Sequence, residues 1–314
     1  VGSYRGLGLQ GFSLVPVQVR PGPLDQSTAQ IQRITIGIDV VASLQRFKPV
    51  LSVRIRGTQL DLTRNDQGSY WVPGPFPDQG NPPRLDLLVR FTDPARIRAV
   101  SAGVSLTAAG WCGIRLDEHR ADGSLSFVLP ERGRITVKGR GRWVRPEFEL
   151  TTRLERLQLA RYQGLLPSKL PLQLQGQLGG NLRLGWRRGR ANCSGGLSLQ
   201  RVGFSGQAME HTLESPQLRV SCRGDVLRVP SSRWTYGPYR ASLGGDVRLN
   251  HSFALKGDLK ELDQNRNLAF QLKGDWYQPK LSVQGRWALP DSLPVNGPLR
   301  LGAQLSADWR DLQD

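Results

Sequence analysis

Apolar and polar side chains alternate through residues 252–287, SFALKGDLKELDQNRNLAFQLKGDWYQPKLSVQGRW. Phe253 and Leu255 stand two positions apart, as do Phe270 and Leu272, and serine, alanine, lysine or glutamine fills the positions around them. Alternation of this kind, interrupted by short polar segments, is typical of β-strands that have one apolar and one polar face. The stretch therefore predicts consecutive strands joined by short turns.

The same period of two recurs along most of the chain, at 34–40, 51–55, 60–62, 85–91, 170–174, 182–186 and 299–305. Segments with a helical period of 3.6 are nearly absent, so the pattern predicts roughly 20 strands of about 5–9 residues each. Two short helices are expected, at 94–100 and 157–166. Turns are expected at 66–68, 121–123 and 277–280.

Composition narrows the class of protein. The chain has 314 residues, and 43 Lys+Arg against 26 Asp+Glu give a net charge of +17. Glycine (36) and proline (21) are abundant, whereas three cysteines and three histidines are too few for a disulfide framework or a metal cluster. No apolar run reaches the length of a membrane-spanning helix. Because it begins with Val1 and has the single methionine Met209, we expect a piece of a longer chain.

The three cysteines, Cys112, Cys193 and Cys222, leave two alternatives open. A bridge between Cys193 and Cys222 would need an oxidising compartment. Isolated thiols are the alternative that the odd count favours.

The arginines indicate a basic face. One dense cluster consists of Arg132, Arg134, Lys138, Arg140, Arg142 and Arg145. Its charges alternate with glycine or apolar residues, as on the outer face of strands. No nucleic-acid-binding motif accompanies them, so a solvated or membrane-apposed face is favoured over a nucleic-acid interface.

The predicted strands each have one apolar face, and the sequence predicts too few helices to cover these faces. The sheet must close on itself, double into a sandwich or curl into a trough. We predict an all-β fold in which an elongated, curled antiparallel sheet forms an open trough with an apolar interior. Its inner face would expose far more apolar surface than a monomer normally does, which implies an apolar ligand. The residues expected to line this groove are Phe253, Leu255, Phe270, Leu272, Trp276, Leu281, Val283, Trp287, Leu299, Leu301 and Trp309.

A proline-rich stretch, PGPFPDQGNPP at 73–83, interrupts the strand pattern. Proline cannot donate to a strand ladder, so this stretch is expected to be a surface loop. It separates an N-terminal β segment, 1–72, from a continuing series of trough repeats, 84–314.

The sequence contains no convincing motif for catalysis, cofactor binding or metal binding. Gly6, Gly8 and Gly11 match G-x-G-x-x-G, but an extended segment with a proline follows where a dinucleotide fold needs a helix. His119 stands beside a predicted turn, and no nucleophile, acid–base pair or metal-ligand spacing can be nominated. We therefore expect no enzyme activity, no metal and no cofactor.

Several segments resemble the TamB family of the AsmA-like superfamily, in particular its cyanobacterial and plastid branch. They are LQGFS at 9–13, AQIQRITIGID at 29–39, LSVRI at 51–55, DQGSYWV at 66–72 and GQLGGNLRLGW at 176–186. The resemblance covers most of the chain through a shared periodic style.

The resemblance implies a periplasmic piece of an inner-membrane protein, anchored by an N-terminal helix outside this sequence. It implies a groove that carries phospholipid acyl chains between inner and outer membranes, in the service of outer-membrane biogenesis and of protein translocation and assembly. It also implies an outer-membrane barrel partner of the assembly-factor type, reached through a C-terminal domain outside this sequence. In a plastid the location would be the envelope. The alternative from the residues alone is a basic β-rich module with a closed sandwich core that binds a polyanion or a protein.

Overall fold

The fold is all-β, as predicted, in a computed structural model of the chain. The structure describes residues 3–6, 11–19, 26–64, 83–144, 146–165, 172–206, 209–249, 252–261, 267–275, 279–287 and 299–306. The chain divides into two units, each described by itself. Unit 1 comprises Val1–Leu157, Arg161–Leu170 and Gly185–Arg190, and unit 2 comprises Gln158–Ala160, Pro171–Leu184 and Ala191–Asp314.

The first eleven strands are β1 (Ser3–Gly6), β2 (Phe12–Val15), β3 (Val17–Val19), β4 (Thr28–Ile38), β5 (Val50–Leu62), β6 (Asp86–Phe91), β7 (Ala95–Ala99), β8 (Val104–Arg115), β9 (Arg120–Val128), β10 (Arg134–Arg142) and β11 (Glu147–Gln158). One α-helix, α1 (Val40–Arg46), follows β4, and 3-10 helices span Val100–Ala102 and Leu159–Leu165.

The later strands are β12 (Leu172–Arg187), β13 (Arg190–Gly206), β14 (Leu213–Gly224), β15 (Val226–Tyr236), β16 (Tyr239–Arg248), β17 (Ser252–Glu261), β18 (Asn267–Asp275), β19 (Pro279–Trp287) and β20 (Leu299–Ser306). The described residues thus hold the 20 strands that the period predicts, but several are longer than expected, up to 17 residues in β13.

Unit 1 departs from a simple meander at β5. Strands β6 and β7 both pair parallel with β5 and antiparallel with β8, so together they occupy one position in the sheet. Asp93 lies at the break between them, and both of its carboxylate oxygens accept the backbone N–H of Gly57 at 3.0 Å. This bond ties β5 to the break, where the ladder of β6 stops and that of β7 begins.

A buried carboxylate, Asp86, lies where the parallel pairing of β5 with β6 begins. Asp86 opposes Val50 across β5 and β6, and both residues are only 1% exposed. The Arg46 guanidinium and the Lys48 ammonium both pair with the Asp86 carboxylate, the latter at 2.9 Å. Since a buried charge is costly unless it is paired, these two cations are what allows a carboxylate to sit there.

Unit 2 is a meander from β13 to β20, in which each strand pairs antiparallel with the next strand along the chain. Cys193 and Cys222 form a disulfide between β13 and β14, with Cα atoms 5.6 Å apart. The interpretation of isolated thiols is therefore wrong for this pair, because the register brings the two buried cysteines diagonally together. Cys112 remains a free thiol.

Three local predictions are also wrong. In the stretch predicted as a helix at 94–100, residues Ala95–Ala99 form strand β7, since Ala95, Ile97 and Ala99 alternate with arginines, and Val100 begins a 3-10 helix. Residues 121–123 lie inside β9, and the chain reverses earlier, at 116–119. Val40 belongs to α1, because the Asp39 carboxylate caps the helix by accepting the N–H of Ala42 at 3.0 Å. The helical prediction for 157–166 is confirmed in 3-10 form at Leu159–Leu165, whereas Leu157 and Gln158 still belong to β11.

The loop predicted at 73–83 and the turn at 66–68 lie outside the described residues, except for Pro83. Of the turn predicted at 277–280, only Pro279 and Lys280 are described, and they begin β19. The proposed domain boundary at 73–83 therefore stays a prediction.

Candidate functional site

The predicted groove residues meet in rows across unit 2. Leu255 of β17 pairs with Leu272 of β18, and Leu272 pairs with Leu281 of β19. In the next row Phe270 pairs with Val283. Directly paired residues point to the same side of a sheet with Cβ atoms roughly 5 Å apart. The register thus brings these predicted residues onto one surface.

The rows continue through the strands before β17. Val247 pairs with Phe253, and Leu227 pairs with Val247. The same side of β13 and β14 carries paired apolar residues as well. We call this surface the apolar face of unit 2, and its members include Leu197, Leu199, Phe204, Leu213, Leu218, Val220, Leu227, Val229, Trp234, Leu243, Val247, Phe253, Leu255, Leu259, Leu268, Phe270, Leu272, Leu281 and Val283.

Most of the apolar face is half-buried. Among the predicted groove residues with described side chains, only Phe253 is buried, at 9% exposure, whereas Leu255, Phe270, Leu272, Leu281 and Val283 are intermediate. Leucine and phenylalanine in a close-packed core are normally among the most buried side chains. Neighbours on the same face shield these residues in part, and their remaining surface is open.

Glycines shape this face. Gly257 pairs with Phe270, and the aromatic ring lies over it, because a Cβ at Gly257 would stand only 2.6 Å from the ring Cζ. Gly245, at φ 149°, leaves no room for a Cβ against the carbonyl of Ala254. Glycine is the residue that permits such close approach and such a dihedral angle. Because these two glycines have no side chain, they leave a shallow depression in the apolar face beside Leu243 and Leu255.

The opposite face of the same strands is polar and charged. Lys256, Asp258 and Lys273 are exposed. The Arg228 guanidinium donates to the Asp246 carboxylate at 2.9 Å and 3.2 Å, and this hydrogen bond lowers the pKa of Asp246. A depression of about 790 Å³ is lined by polar-face residues such as Arg228 and Asp246, and also by Val229, Leu255 and Phe270 of the apolar face.

Trp234 extends the apolar face, although sequence reasoning missed it. A bulge shifts the register of β15 between Val229 and Ser232, so Val229 and Trp234 share a side despite their odd separation. Trp234 is buried, its Nε1 donates to the Ser232 hydroxyl at 2.8 Å, and its ring lies 5.7 Å from that of Phe204. Pro230, inside the strand pattern, is the signal that indicates a bulge.

Five predicted groove residues fall partly or wholly beyond what the structure describes. Trp276 and Trp309 lie outside the described residues. The backbone of Trp287 pairs with Leu299, and Gly285 pairs with Leu301, which continues the rows from β19 to β20. Their side chains lie outside the described part of the chain.

The predicted basic face lies on unit 1. Arg134, Lys138, Arg140 and Arg142 are exposed and share one side of β10, Arg132 lies in the preceding turn, and Arg145 is outside the described residues. Acidic residues of β11 oppose three of these arginines: Glu155 faces Arg134, Glu149 faces Arg140 and Glu147 faces Arg142. The Arg140 guanidinium donates to Glu149 at 2.6 Å. Of these three carboxylates, Glu149 forms an ion pair with Arg140, whereas Glu155 pairs with Arg153 and Glu147 with Arg187.

Within the described ranges, no helix is long and apolar enough to cross a membrane. No group of three or more His, Cys, Asp or Glu side chains among those residues is arranged to hold a metal ion. Comparisons with protein-family models, with curated proteins and with solved structures found no match.

Proposed function

We propose that the apolar face of unit 2 is a groove for the acyl chains of phospholipids, and that the chain carries lipid along it between the inner and outer membranes of a cell envelope. The observation that supports this most is the half-buried state of an apolar face continuous over β13–β19. The resemblance of the sequence to the TamB family favours the same function. Outer-membrane biogenesis, with protein translocation and assembly, is the process that we propose it serves.

Physical chemistry explains how such a face would act. Each methylene removed from water contributes about 0.8 kcal/mol, so a lipid tail can be held without a specific pocket. Seven strands at a spacing of about 4.8 Å make a surface of about 29 Å, long enough for an acyl chain. Because successive rows present similar leucine, valine and phenylalanine side chains, a tail can slide from one row to the next with a low barrier.

Lipid occupancy is the first test. The 314-residue chain would be purified from a bacterial host without detergent and analysed by native mass spectrometry with lipid extraction. We expect bound phospholipid in the wild type and its loss in Leu272→Glu and Val283→Glu, which place a charge on the apolar face. Gln271→Glu and Gln284→Glu are the matched controls, since they put the same charge one residue away on the exposed polar face, and they should keep the lipid.

Thermal melting separates an open groove from a closed core. On a hydrated, half-buried face Leu272→Glu should cost about 1 kcal/mol. In a closed sandwich core it would bury an unpaired charge and cost several times more. A lipid-free wild type together with unfolding of Leu272→Glu would overturn the groove. It would favour the alternative of a closed core with a basic binding face, testable by the salt dependence of polyanion binding.

A further inference from the structure

One end of the strands of unit 1 gathers most of its exposed apolar side chains. A single row of backbone partners crosses the sheet near this end, through Ile38, Leu51, Leu87, Ile114, Ala121, Gly141 and Phe148. Three connections lie at this end of the strands. Helix α1 joins β4 to β5, the turn at 116–119 joins β8 to β9, and a further turn joins β10 to β11. Of the thirteen large apolar residues that are exposed in the described part of the chain, nine lie here: Ile38, Val40, Val41, Leu44, Phe47, Trp143, Val144, Phe148 and Trp186. We call these nine residues the apolar rim.

Polar contacts join the segments of the apolar rim into one surface. The Lys48 ammonium, just after α1, pairs with Asp117 in the turn at 116–119 at 2.9 Å. The backbone carbonyl of His119 in the same turn accepts a hydrogen bond from the backbone N–H of Trp143 at 3.2 Å, and the two rings meet edge to face at 5.8 Å. Phe148 in turn stacks on Trp186, with ring centroids 6.4 Å apart and planes 5° apart. The rim is therefore held in place by specific contacts although its apolar tips are exposed.

Helix α1 presents its apolar side chains outward. Leu44 is 70% exposed and Phe47 is 96% exposed, and the helix contains no buried residue. Phe47 has φ 53°, the left-handed conformation of the helix C-cap, which glycine usually takes. A phenylalanine in this conformation carries backbone strain, and its exposed ring buries almost no apolar area in the folded chain.

Arginines stand beside the rim. Arg142, Arg188 and Arg190 are exposed and make no ion pair with any described residue. Arginine binds phosphate oxygens in a bidentate manner, and tryptophan rings favour the boundary between headgroups and acyl chains. Apolar tips, interfacial tryptophans and unpaired arginines at one end of a sheet are complementary to a bilayer with anionic headgroups.

We propose that the apolar rim docks unit 1 on the surface of an anionic lipid bilayer. Val41, Leu44 and Phe47 enter the boundary of the acyl region, Trp143 and Trp186 lie at headgroup depth, and the neighbouring arginines bind lipid phosphates. The proposal uses residues of unit 1 alone and does not depend on the groove of unit 2.

Vesicle flotation of the 314-residue chain tests this docking. Wild type should float with vesicles of equimolar phosphatidylglycerol and phosphatidylcholine. The double variant Leu44→Asp/Phe47→Asp should reduce the bound fraction about tenfold. Val100→Asp/Val128→Asp is the matched control, because these valines are 49% and 44% exposed at the opposite end of the strands, and it should bind as the wild type does.

A charge variant tests the arginines. Arg188→Glu/Arg190→Glu should weaken binding to the anionic vesicles and leave the weak binding to pure phosphatidylcholine vesicles unchanged. Leu272→Glu, on the apolar face of unit 2, should float normally, which separates this proposal from that of the groove. All of these substitutions except Leu272→Glu replace exposed residues, and circular dichroism would confirm that each variant is folded.

Three results would overturn bilayer docking. One is a wild-type chain that does not float with either vesicle type. Another is an equal loss of binding in Val100→Asp/Val128→Asp. The third is self-association of the wild type in sedimentation velocity that Leu44→Asp/Phe47→Asp abolishes, since a second copy of the chain would then cover the rim.

Discussion

The two units stabilise β-sheets in different ways. Unit 1 contains parallel pairs, β5 with β6 and β5 with β7, and anchors the crossing with the buried Asp86 carboxylate and two cations. Unit 2 runs as a meander and joins two neighbouring strands through the disulfide between Cys193 and Cys222. Charge pairing thus stabilises a non-local connection in one unit, and a covalent bond reinforces a local pair in the other. Substitutions that remove each of these interactions in turn would test whether the two units differ in this way.

The largest effect is expected from Asp86→Ala in unit 1. It leaves Arg46 and Lys48 without their shared buried carboxylate, and breaking a buried pair costs roughly 3–5 kcal/mol. Urea denaturation, with hydrogen exchange to follow the β5 amides, would measure the loss. The control is Asp246→Ala in unit 2, which breaks an exposed pair with Arg228 and should cost less than about 1 kcal/mol. Equal losses would remove the distinction between the units.

Removal of the disulfide should be the next largest effect. The bridge closes a loop over 29 residues of sequence separation, so Cys193→Ser/Cys222→Ser should cost about 3–4 kcal/mol. Protection of β13 and β14 amides should fall while that of β5 is retained. Cys112→Ser in unit 1, which removes a free thiol, should change stability by about 1 kcal/mol or less. A stability of unit 2 that does not respond to reductant would contradict the assignment.

A smaller effect is expected where a buried indole makes a hydrogen bond. Trp234→Phe in unit 2 keeps an aromatic ring but removes the bond from Nε1 to the Ser232 hydroxyl, for a loss of about 1–2 kcal/mol. Trp111→Phe in unit 1 changes a residue that is 38% exposed and should lie within about 0.5 kcal/mol of wild type. Thermal melting of the two variants side by side measures the difference.

The pH dependence should be the mildest contrast. Burial lowers the pKa of Lys48, but hydrogen bonds to Asp86 and Asp117 outweigh it, so the pKa is raised above its ordinary 10.5. The hydrogen bond from Lys48 lowers the pKa of Asp117 below its ordinary 3.8. A basic group whose pKa is raised on folding stabilises the folded state at pH values below its unfolded pKa, and this contribution is lost as the pH rises through the folded pKa. An acidic group whose pKa is lowered on folding stabilises the folded state at pH values above its unfolded pKa, and this contribution is lost as the pH falls through the folded pKa.

Unit 1 should therefore lose stability in strong alkali and in acid, and Lys48→Met should flatten both limbs. In unit 2 Arg228 lowers the pKa of Asp246, so an acid limb is expected there, and Lys48→Met should leave it unchanged. The midpoint of urea denaturation as a function of pH is the measurement. An alkaline loss that survives in Lys48→Met would show that another group carries it.

The period of two was enough to predict the fold class and the side on which most groove residues lie. Leu255, Leu272 and Leu281 meet as expected because antiparallel neighbours with short turns keep their alternation in register. Helix α1 was missed because the alternation of isoleucines before it was carried on to Val40. The cap at Asp39, with Ser43 in the first turn, is the signal that sequence reasoning passed over.

Long-range features escaped prediction for a different reason. The parallel pairing of β5 with β6 and β7 joins residues separated by 36 or 37 positions, and no local pattern encodes it. The apolar rim also depends on topology. Leu44, Trp143 and Trp186 are far apart in sequence and become neighbours of one sheet end only when the strands are paired.

The bulge in β15 acts as a phase shift. Before Val229 the odd-numbered residues of the strand face the apolar side, and from Ser232 onward the even-numbered residues do. If β15 alternated without this bulge, Trp234 and Tyr236 would face the charged side, and Arg233 and Thr235 would face the apolar side. Deleting Ser231 should therefore remove the bulge and leave Trp234 on the apolar face. One extra residue in the strand therefore determines which of the following residues face the apolar side and which face the charged side.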